Sequence, residues 1–295
     1  MSSALISIIL PTLGERESFA AALRSALAQG DGEIEVIVVD DSLPGSAWTN
    51  REPLASLLKE PRVRLLPWHK QTGCAAAKNA GLAAAKGEWV CYLDDDNEYL
   101  PGKVAGQLAL ARGSQSELVL CGLELRSAGR RRLRQTGKTE FRGDALLLEA
   151  WPDTNVLFHS ADCGLRWDEE LGTADDACFF HSFIKSHGLV SVPNLPSPLV
   201  LYRVHEGVRA NTDFLRLYRG QRRLLVRHAL GYGRRARRLA MARLQVALCK
   251  YRQGGWGRLA GWSLRLLRVG GAGELRHIAN AVGVKLPFLR PWMMR

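Results

Sequence analysis

Three consecutive carboxylates, Asp94, Asp95 and Asp96, close an apolar run that begins at Trp89. Unpaired neighbouring carboxylates repel one another and resist burial. A bound divalent cation removes that conflict. Hard cations take oxygen ligands, often one or two carboxylates plus substrate phosphates. Taken alone, the triplet also reads as a solvated acidic turn that caps a helix. A second cluster, Asp40-Asp41, follows the apolar run Ile34 to Val39. It either caps the next turn or hydrogen-bonds a nucleobase or ribose. A third pair, Asp175-Asp176, precedes Phe179, Phe180 and Phe183. At a helix start such a pair serves as a cap favoured by the macrodipole. It also suits a general base, with one carboxylate fixed by the helix and the other facing substrate. Lys78 lies in an Ala-rich stretch from Thr72 to Gly87, where it can face a diphosphate.

These groups need a frame that brings them to one edge. Ala4 to Leu10 is a β-branched apolar run, read as a strand buried on both faces. Pro11 opens a turn, and Ser18 is placed to cap a helix running through Gln29. Strands follow at 34–39 and 63–66, with a short helix at 54–59 before the latter. The Ala-rich stretch reads as a helix stopped by Gly87, and 88–93 as the fourth strand. Alternating strands and helices imply a parallel sheet with right-handed crossovers. Ligands in such sheets sit beyond the strand C-termini, where the second and fourth strands deliver their carboxylates. Further on, 101–111 reads as a helix and 117–121 as a strand. The segment 126–138 reads as an exposed loop or hairpin, and 153–159 as a strand. Runs at 189–193 and 198–205 close the domain.

The chain has 295 residues and a net charge of +12. The segment from Arg209 to Arg295 holds 20 lysines and arginines against Asp213 and Glu274, a net +18, so the first 208 residues carry −6. An acidic body with a basic tail implies two jobs, the tail meeting an anionic surface. Six cysteines, at 74, 91, 121, 163, 178 and 249, include no C-x-x-C pair. They fit reduced thiols in a cytosolic protein. The start lacks the basic and long apolar regions of a signal peptide, and no run of 18 apolar residues suggests a spanning helix. There is no G-x-G-x-x-G after the first strand and no P-loop motif, which weakens dinucleotide and P-loop readings.

Several pieces in order resemble glycosyltransferase family 2, the inverting nucleotide-sugar transferases of GT-A fold. They are Ile8-Ile-Leu-Pro-Thr, Val36-Ile-Val-Val-Asp-Asp-Ser, Gly73-Cys-Ala-Ala-Ala-Lys-Asn-Ala-Gly, Tyr92-Leu-Asp-Asp-Asp, the acidic pair 175–176, and Tyr202-Arg-Val-His. The resemblance covers residues 4 to 208. It implies an α/β fold with a Rossmann-like, mostly parallel sheet flanked by helices: a catalytic domain at 1–208, then a basic helical region at 209–295. It implies that Pro11, Thr12 and Glu15 line the nucleotide pocket and that Asp40 or Asp41 contacts the base. Lys78, where the family more often has Arg, is implied near the diphosphate or ribose. Asp94 and Asp96 match the family's D-x-D. Asp94 is implied near ribose and metal, Asp95 on the nucleotide-sugar side, and Asp96 on the metal. Asp176 matches the family's catalytic base, with Asp175 replacing its usual Glu partner. His205 matches a position that binds metal in some members. The implied cofactor is Mn²⁺ or Mg²⁺. The implied partners are a nucleoside-diphosphate sugar and a glycan or lipid-linked acceptor, in synthesis of a cell-surface polysaccharide or lipid-linked glycan.

The tail alternates apolar stripes with arginines. One stripe is Phe214, Leu217, Tyr218, Leu224 and Leu225. A second is Met241, Leu244, Leu248 and Tyr251. Trp256, Leu259, Trp262, Leu266 and Leu267 follow among Arg258, Arg265 and Arg268, and the end from Leu286 is aromatic and basic. Basic amphipathic helices with Trp and Leu lie in membrane interfaces. The expectation is a peripheral protein on the inner face of the cell membrane; the plainer reading is a helical subdomain with a solvated basic face. Two other functions compete. The tail could bind nucleic acid beside a nucleotide-binding body, although no nucleic-acid motif is present and none is expected as a partner. The same fold could instead transfer a nucleotidyl group, releasing pyrophosphate.

Overall fold

The computed structural model describes residues 4–30, 34–127, 130–150, 152–171, 174–204, 214–227, 231–248, 256–271, 274–275 and 278. The chain divides into two compact units. The first comprises Met1–Arg142 and Glu149–Gly207; the second comprises Gly143–Leu148 and Val208–Arg295.

The first unit is α/β. Its opening half runs β1 (Ile6–Thr12), α1 (Phe19–Leu27), β2 (Ile34–Asp40), α2 (Leu54–Leu57), β3 (Val63–Pro67), α3 (Cys74–Ala84) and β4 (Trp89–Tyr92). The order β3-β2-β1-β4 is parallel throughout, as the alternating pattern demands. Every residue of β1 is buried. Each such Ile or Leu contributes about 1.5–3 kcal/mol through burial, which fixes β1 at the centre of this half.

The other half departs from simple alternation. It contains β5 (Glu98–Tyr99), α4 (Lys103–Ser114), β6 (Leu118–Ser127), β7 (Arg130–Arg134) and β8 (Glu140–Arg142). The sheet continues from β4 through β9 (Phe158–Ser160), β6 and β10 (Ser191–Arg203) to β5, while β7 pairs with β6 and β8 with β10. The strand β9 is antiparallel to both of its neighbours, so the sheet is mixed here. The strand expected at 153–159 is shorter than its apolar run suggests. Asp153 caps a single 3-10 turn at Thr154–Val156 by accepting from the Asn155 amide, and extension begins only at Phe158. The two closing runs form one strand, β10, with register shifts between Leu195 and Val200. The segment 126–138 is a hairpin arm, as one of its two readings held.

Two local expectations change for physical reasons. Ser18 occupies the N-cap of α1 but makes no capping bond. Its hydroxyl instead donates to the Asp95 carbonyl at 2.9 Å. Gly87 does not end α3, which stops at Ala84. A Cβ at Gly87 would lie 2.6 Å from the Ser7 amide nitrogen, so glycine lets the entry to β4 pass against β1.

The second unit is helical: α5 (Ala145–Leu148), α7 (Phe214–Arg227), α8 (Arg234–Leu248) and α9 (Trp256–Gly270), with α6 (Asp175–Ser186) belonging to the first unit. Its core is Leu239, Ala242, Val246, Leu259 and Leu266, with Leu148 and Trp262 packed on it. The buried face of α8 is therefore Leu239-Ala242-Val246, while Met241 and Leu244 of the expected stripe are only partly buried. Arg243 binds Glu274 through two nitrogens and donates to the Leu148 carbonyl, which ties α5 to this core. No helix among the described residues is long and apolar enough to cross a membrane. Tyr251 and the aromatic end from Leu286 lie outside the described residues.

Candidate functional site

The carboxylate triplet sits at the C-terminal end of β4, and each member is held differently. Asp95 accepts from the Thr12 hydroxyl at 2.8 Å and pairs with the Arg16 guanidinium at 2.9 Å. Arg16 also reaches Asp96 at 3.5 Å. The turn that carries Arg16 is set by Thr12, whose hydroxyl accepts from the Gly14 amide. Gly14 has φ +73°, and a side chain there would run into the buried Trp48 ring. Pro11 and Thr12 are buried at the end of β1, while Glu15 is exposed on the turn.

Asp94 is clamped by Asn155, which is fully buried. The Asn155 side-chain oxygen accepts from the Asp94 amide at 2.7 Å, and its amide nitrogen donates to Asp94 Oδ2 at 2.9 Å. The same nitrogen donates to Asp153 Oδ1 at 2.7 Å. Burial pushes the Asp94 carboxyl up to about 7, Lys78 pulls against it, and Asp96 and Asp153 add to the rise. Burial likewise lifts Asp95 to about 6, opposed by Thr12 and Arg16. Asp153 is raised by burial as well.

Lys78 binds one member of the acidic pair, and its charge acts on Asp94 of the triplet. It is buried within α3, and its ammonium donates to Thr154 Oγ1 at 2.8 Å and to Asp175 Oδ2 at 3.1 Å. It also lies 4.0 Å from the centre of the Trp167 ring. Burial works against its charge, but Asp175, Cys74, Asp94 and Asp176 together hold it well above the usual lysine value. The ring is kept in place by Asn79, which donates to the Trp167 carbonyl and accepts from its amide.

Asp175 and Asp176 open α6, as expected. Asp175 is committed to Lys78. Asp176 accepts from the Ala177 amide at 2.7 Å through Oδ1. Burial, then the neighbouring Asp175 and Asp153, raise the Asp176 carboxyl well above the ordinary range. The pair is thus split into a carboxylate that binds a lysine and a neighbour whose carboxyl is raised by burial.

The cluster at the end of β2 is used locally. Asp40 Oδ1 accepts from the Ser42 amide and the Trp48 indole, and Asp41 accepts from the Lys70 and Gly73 amides. These bonds shape the loop that leads into α3. His205 lies outside the described residues. Arg16, Asn155, Asp153 and Trp167 were not singled out as site residues from the sequence. Arg16 had a signal, an arginine four residues after Thr12 in a turn otherwise acidic; Asn155 had none, since its place depends on a 3-10 turn.

A divalent ion suits Asp94 and Asp96. Burial raises the Asp94 carboxyl, and the nearby Asp96 and Asp153 add to that rise, a conflict that a cation would relieve. Among the described residues no three His, Cys, Asp or Glu side chains converge on one point. A hard cation can take one or two carboxylates and fill its remaining positions with phosphate oxygens and water.

Comparison with known proteins adds the family. The model for glycosyl transferase family 2 matches residues 7–171, more than half of the chain. A succinoglycan biosynthesis protein, ExoO of Rhizobium meliloti, is 28% identical over 68% of this chain, and the match spans 61% of that protein's length. A putative colanic acid biosynthesis glycosyl transferase, WcaA of Escherichia coli, is 30% identical over 36% of this chain and 37% of its own length. Among solved structures, S. aureus TarS 1–349 in complex with UDP-GlcNAc aligns with a TM-score of 0.66 at 17% identity, covering 95% of this chain and 80% of that one. The mannosyltransferase PcManGT from Pyrobaculum calidifontis, in complex with GDP-Man and Mn²⁺, aligns with a TM-score of 0.60 at 18% identity, covering 99% and 84%. At such identities the structural likeness speaks for the fold.

Proposed function

This chain belongs to glycosyltransferase family 2, and on that premise we propose that it moves a sugar from a nucleoside-diphosphate sugar to an acceptor hydroxyl with inversion. The observation that carries the reading is the split acidic pair at the start of α6, held by Lys78, whose charge also acts on Asp94 of the triplet at the end of β4. One cluster suits the donor and the other suits the acceptor.

Asp176 is the general base. Its Oδ1 is occupied by the Ala177 amide, so Oδ2 is the atom that takes the acceptor proton. Its raised value makes it a strong base once ionised. Lys78 works against that rise and keeps Asp175 from competing for the proton. Asp94 and Asp96 would hold Mn²⁺ or Mg²⁺, with His205 as a further candidate ligand. When bound, the ion supplies positive charge to the leaving diphosphate. Thr12 and Arg16 fix Asp95, which keeps the triplet's backbone in place on the nucleotide side. Pro11 and Glu15 border the same side, and Asp40 and Asp41 shape the base-side loop.

The relatives in succinoglycan and colanic acid biosynthesis support an acceptor in cell-surface polysaccharide or lipid-linked glycan synthesis. Unit boundaries near residue 208 fit a catalytic body and a separate helical module. The exposed face of α9 carries Arg258, Arg265 and Arg268 with Leu264. Arg265 lies 5.0 Å from the Trp262 ring. Such a face suits an anionic membrane surface, each basic residue near it adding about 1 kcal/mol. Incubation with a panel of nucleotide sugars, with and without Mn²⁺, tests the activity. Release of free nucleoside diphosphate from at least one donor is expected. Release of sugar 1-phosphate instead would mark transfer of the nucleotidyl group and defeat the reading.

A further inference from the structure

The β6–β7 hairpin is an exposed basic arm that the proposed chemistry does not use. All five residues of β7, Arg130 to Arg134, are exposed, and four are arginine. Arg131 stands opposite Arg126 across the ladder. Both bind the buried Glu124, yet their side chains remain 61% and 59% exposed. Like charges directly opposite each other destabilise a ladder. Protecting an edge strand from stray pairing takes only a charge or two. This hairpin carries five arginines against one glutamate in a body whose net charge is −6.

Its position matters as much as its charge. Both β4 and β6 are antiparallel to β9, with Cys91 and Val119 each opposite Phe158. The strands β4 and β6 therefore point the same way, and the triplet lies level with the middle of β6. The arm continues past that level to Ser127. Near its tip, Arg126 is in register with Arg203, whose amide donates to Asn97 Oδ1 at 3.0 Å. Asn97 directly follows the triplet. The arm thus stands beyond the same sheet end that bears the reacting carboxylates.

We propose that this hairpin docks an anionic acceptor, a glycan bearing carboxylate or phosphate groups. The proposal rests on the transfer reading and names its acceptor class. Arginine forks match both anions bidentately. Charges at the edge of a binding surface steer the partner and make its capture salt-dependent.

The test uses the full chain and the variant R130Q/R132Q, which changes exposed side chains of β7 and none of the carboxylates. Binding is titrated with hexagalacturonate, with tripolyphosphate and with the neutral maltohexaose, at low and high salt. Wild type should bind at least one anionic probe and bind maltohexaose far more weakly. The variant should lose about tenfold in that affinity, and the loss should shrink at high salt. Equal binding by both proteins, or binding of neither anionic probe, overturns the proposal. So does loss of phosphatidylglycerol vesicle binding by the variant with oligosaccharide affinity intact, which would make the arm a lipid contact. Donor hydrolysis in water is measured alongside and should be equal in both proteins. If neither protein cleaves any donor, the transfer reading fails while the binding result still judges the arm.

Discussion

Replacing Lys78 with Met probes the link between the two acidic clusters. The lysine side chain is 3% exposed and its partner Asp175 17% exposed, so the pair is largely removed from water. Removing one partner of a buried pair typically costs about 3–5 kcal/mol, because a buried charge is left behind. Asp175 keeps some water contact, which places the cost near about 3 kcal/mol. Losing the bond to Thr154 adds about 1 kcal/mol. At about 2–4 °C per kcal/mol for a unit of this size, melting should fall by roughly 8–16 °C. Asp175→Asn should cost a similar amount by stranding the ammonium. The double variant removes both charges, so its loss should fall short of the sum by about 2 kcal/mol or more. Urea unfolding of the four proteins measures this coupling. Additivity within about 0.5 kcal/mol would refute the pair as the link. Lys78 also holds down the carboxyls of Asp94 and Asp176. In Lys78→Met both should rise further, moving the activity profile to higher pH, whereas Lys78→Arg should keep the wild-type profile.

Other outcomes follow from the same geometry. Asp176→Asn should lower turnover by about 10²–10⁴-fold with donor affinity retained, measured by steady-state kinetics and donor titration; normal turnover would leave the pair as a helix cap only. The unliganded Asp94 carboxyl is protonated below about 7 and ionised above it. A metal needs the ionised form, so Mn²⁺ affinity measured by titration calorimetry should fall about tenfold per pH unit below 7 and level off above; a flat profile from pH 5 to 8 would remove Asp94 from the ligand set. Changing Arg258, Arg265 and Arg268 to Gln leaves Leu259 and Leu266 in the helical core and should weaken sedimentation with anionic vesicles, most at low salt. Unchanged sedimentation would clear α9 of membrane contact.

The nucleotide half of the fold was legible because its signals are local. Buried parallel strands are continuous apolar runs, and carboxylates directly after 34–39 and 89–93 mark their C-terminal ends. The helix at Asp175 was legible for the same reason, with its acidic start and its Phe179-Phe180-Phe183 face. The mixed half was less so. The antiparallel β9 is three residues long, and its neighbours are non-local in sequence, so no periodicity announces them. Asn155 was hidden because an Asx-capped 3-10 turn, rather than a strand, aims it at Asp94. Lys78 was found as a cation of the site, but its partner Asp175 lies 97 positions away and only the fold brings them together. Ser18 misled because capping and tethering ask for the same side chain. In α8, Ala242 defines the buried face, and a search for large apolar residues passes over it.

The central claim is a single displacement at the carboxylate end of the sheet, with the proton passing to one carboxylate and no sugar bound to the protein. The anomeric configuration of the first product tests it most directly. Proton NMR of the transferred sugar, followed from an α-linked nucleotide sugar, should show a β-linkage from the earliest time point, with free nucleoside diphosphate formed in equal amount. An α-linked first product would contradict the account, because retention requires either two displacements or attack from the face that the diphosphate leaves, and neither is a single in-line displacement.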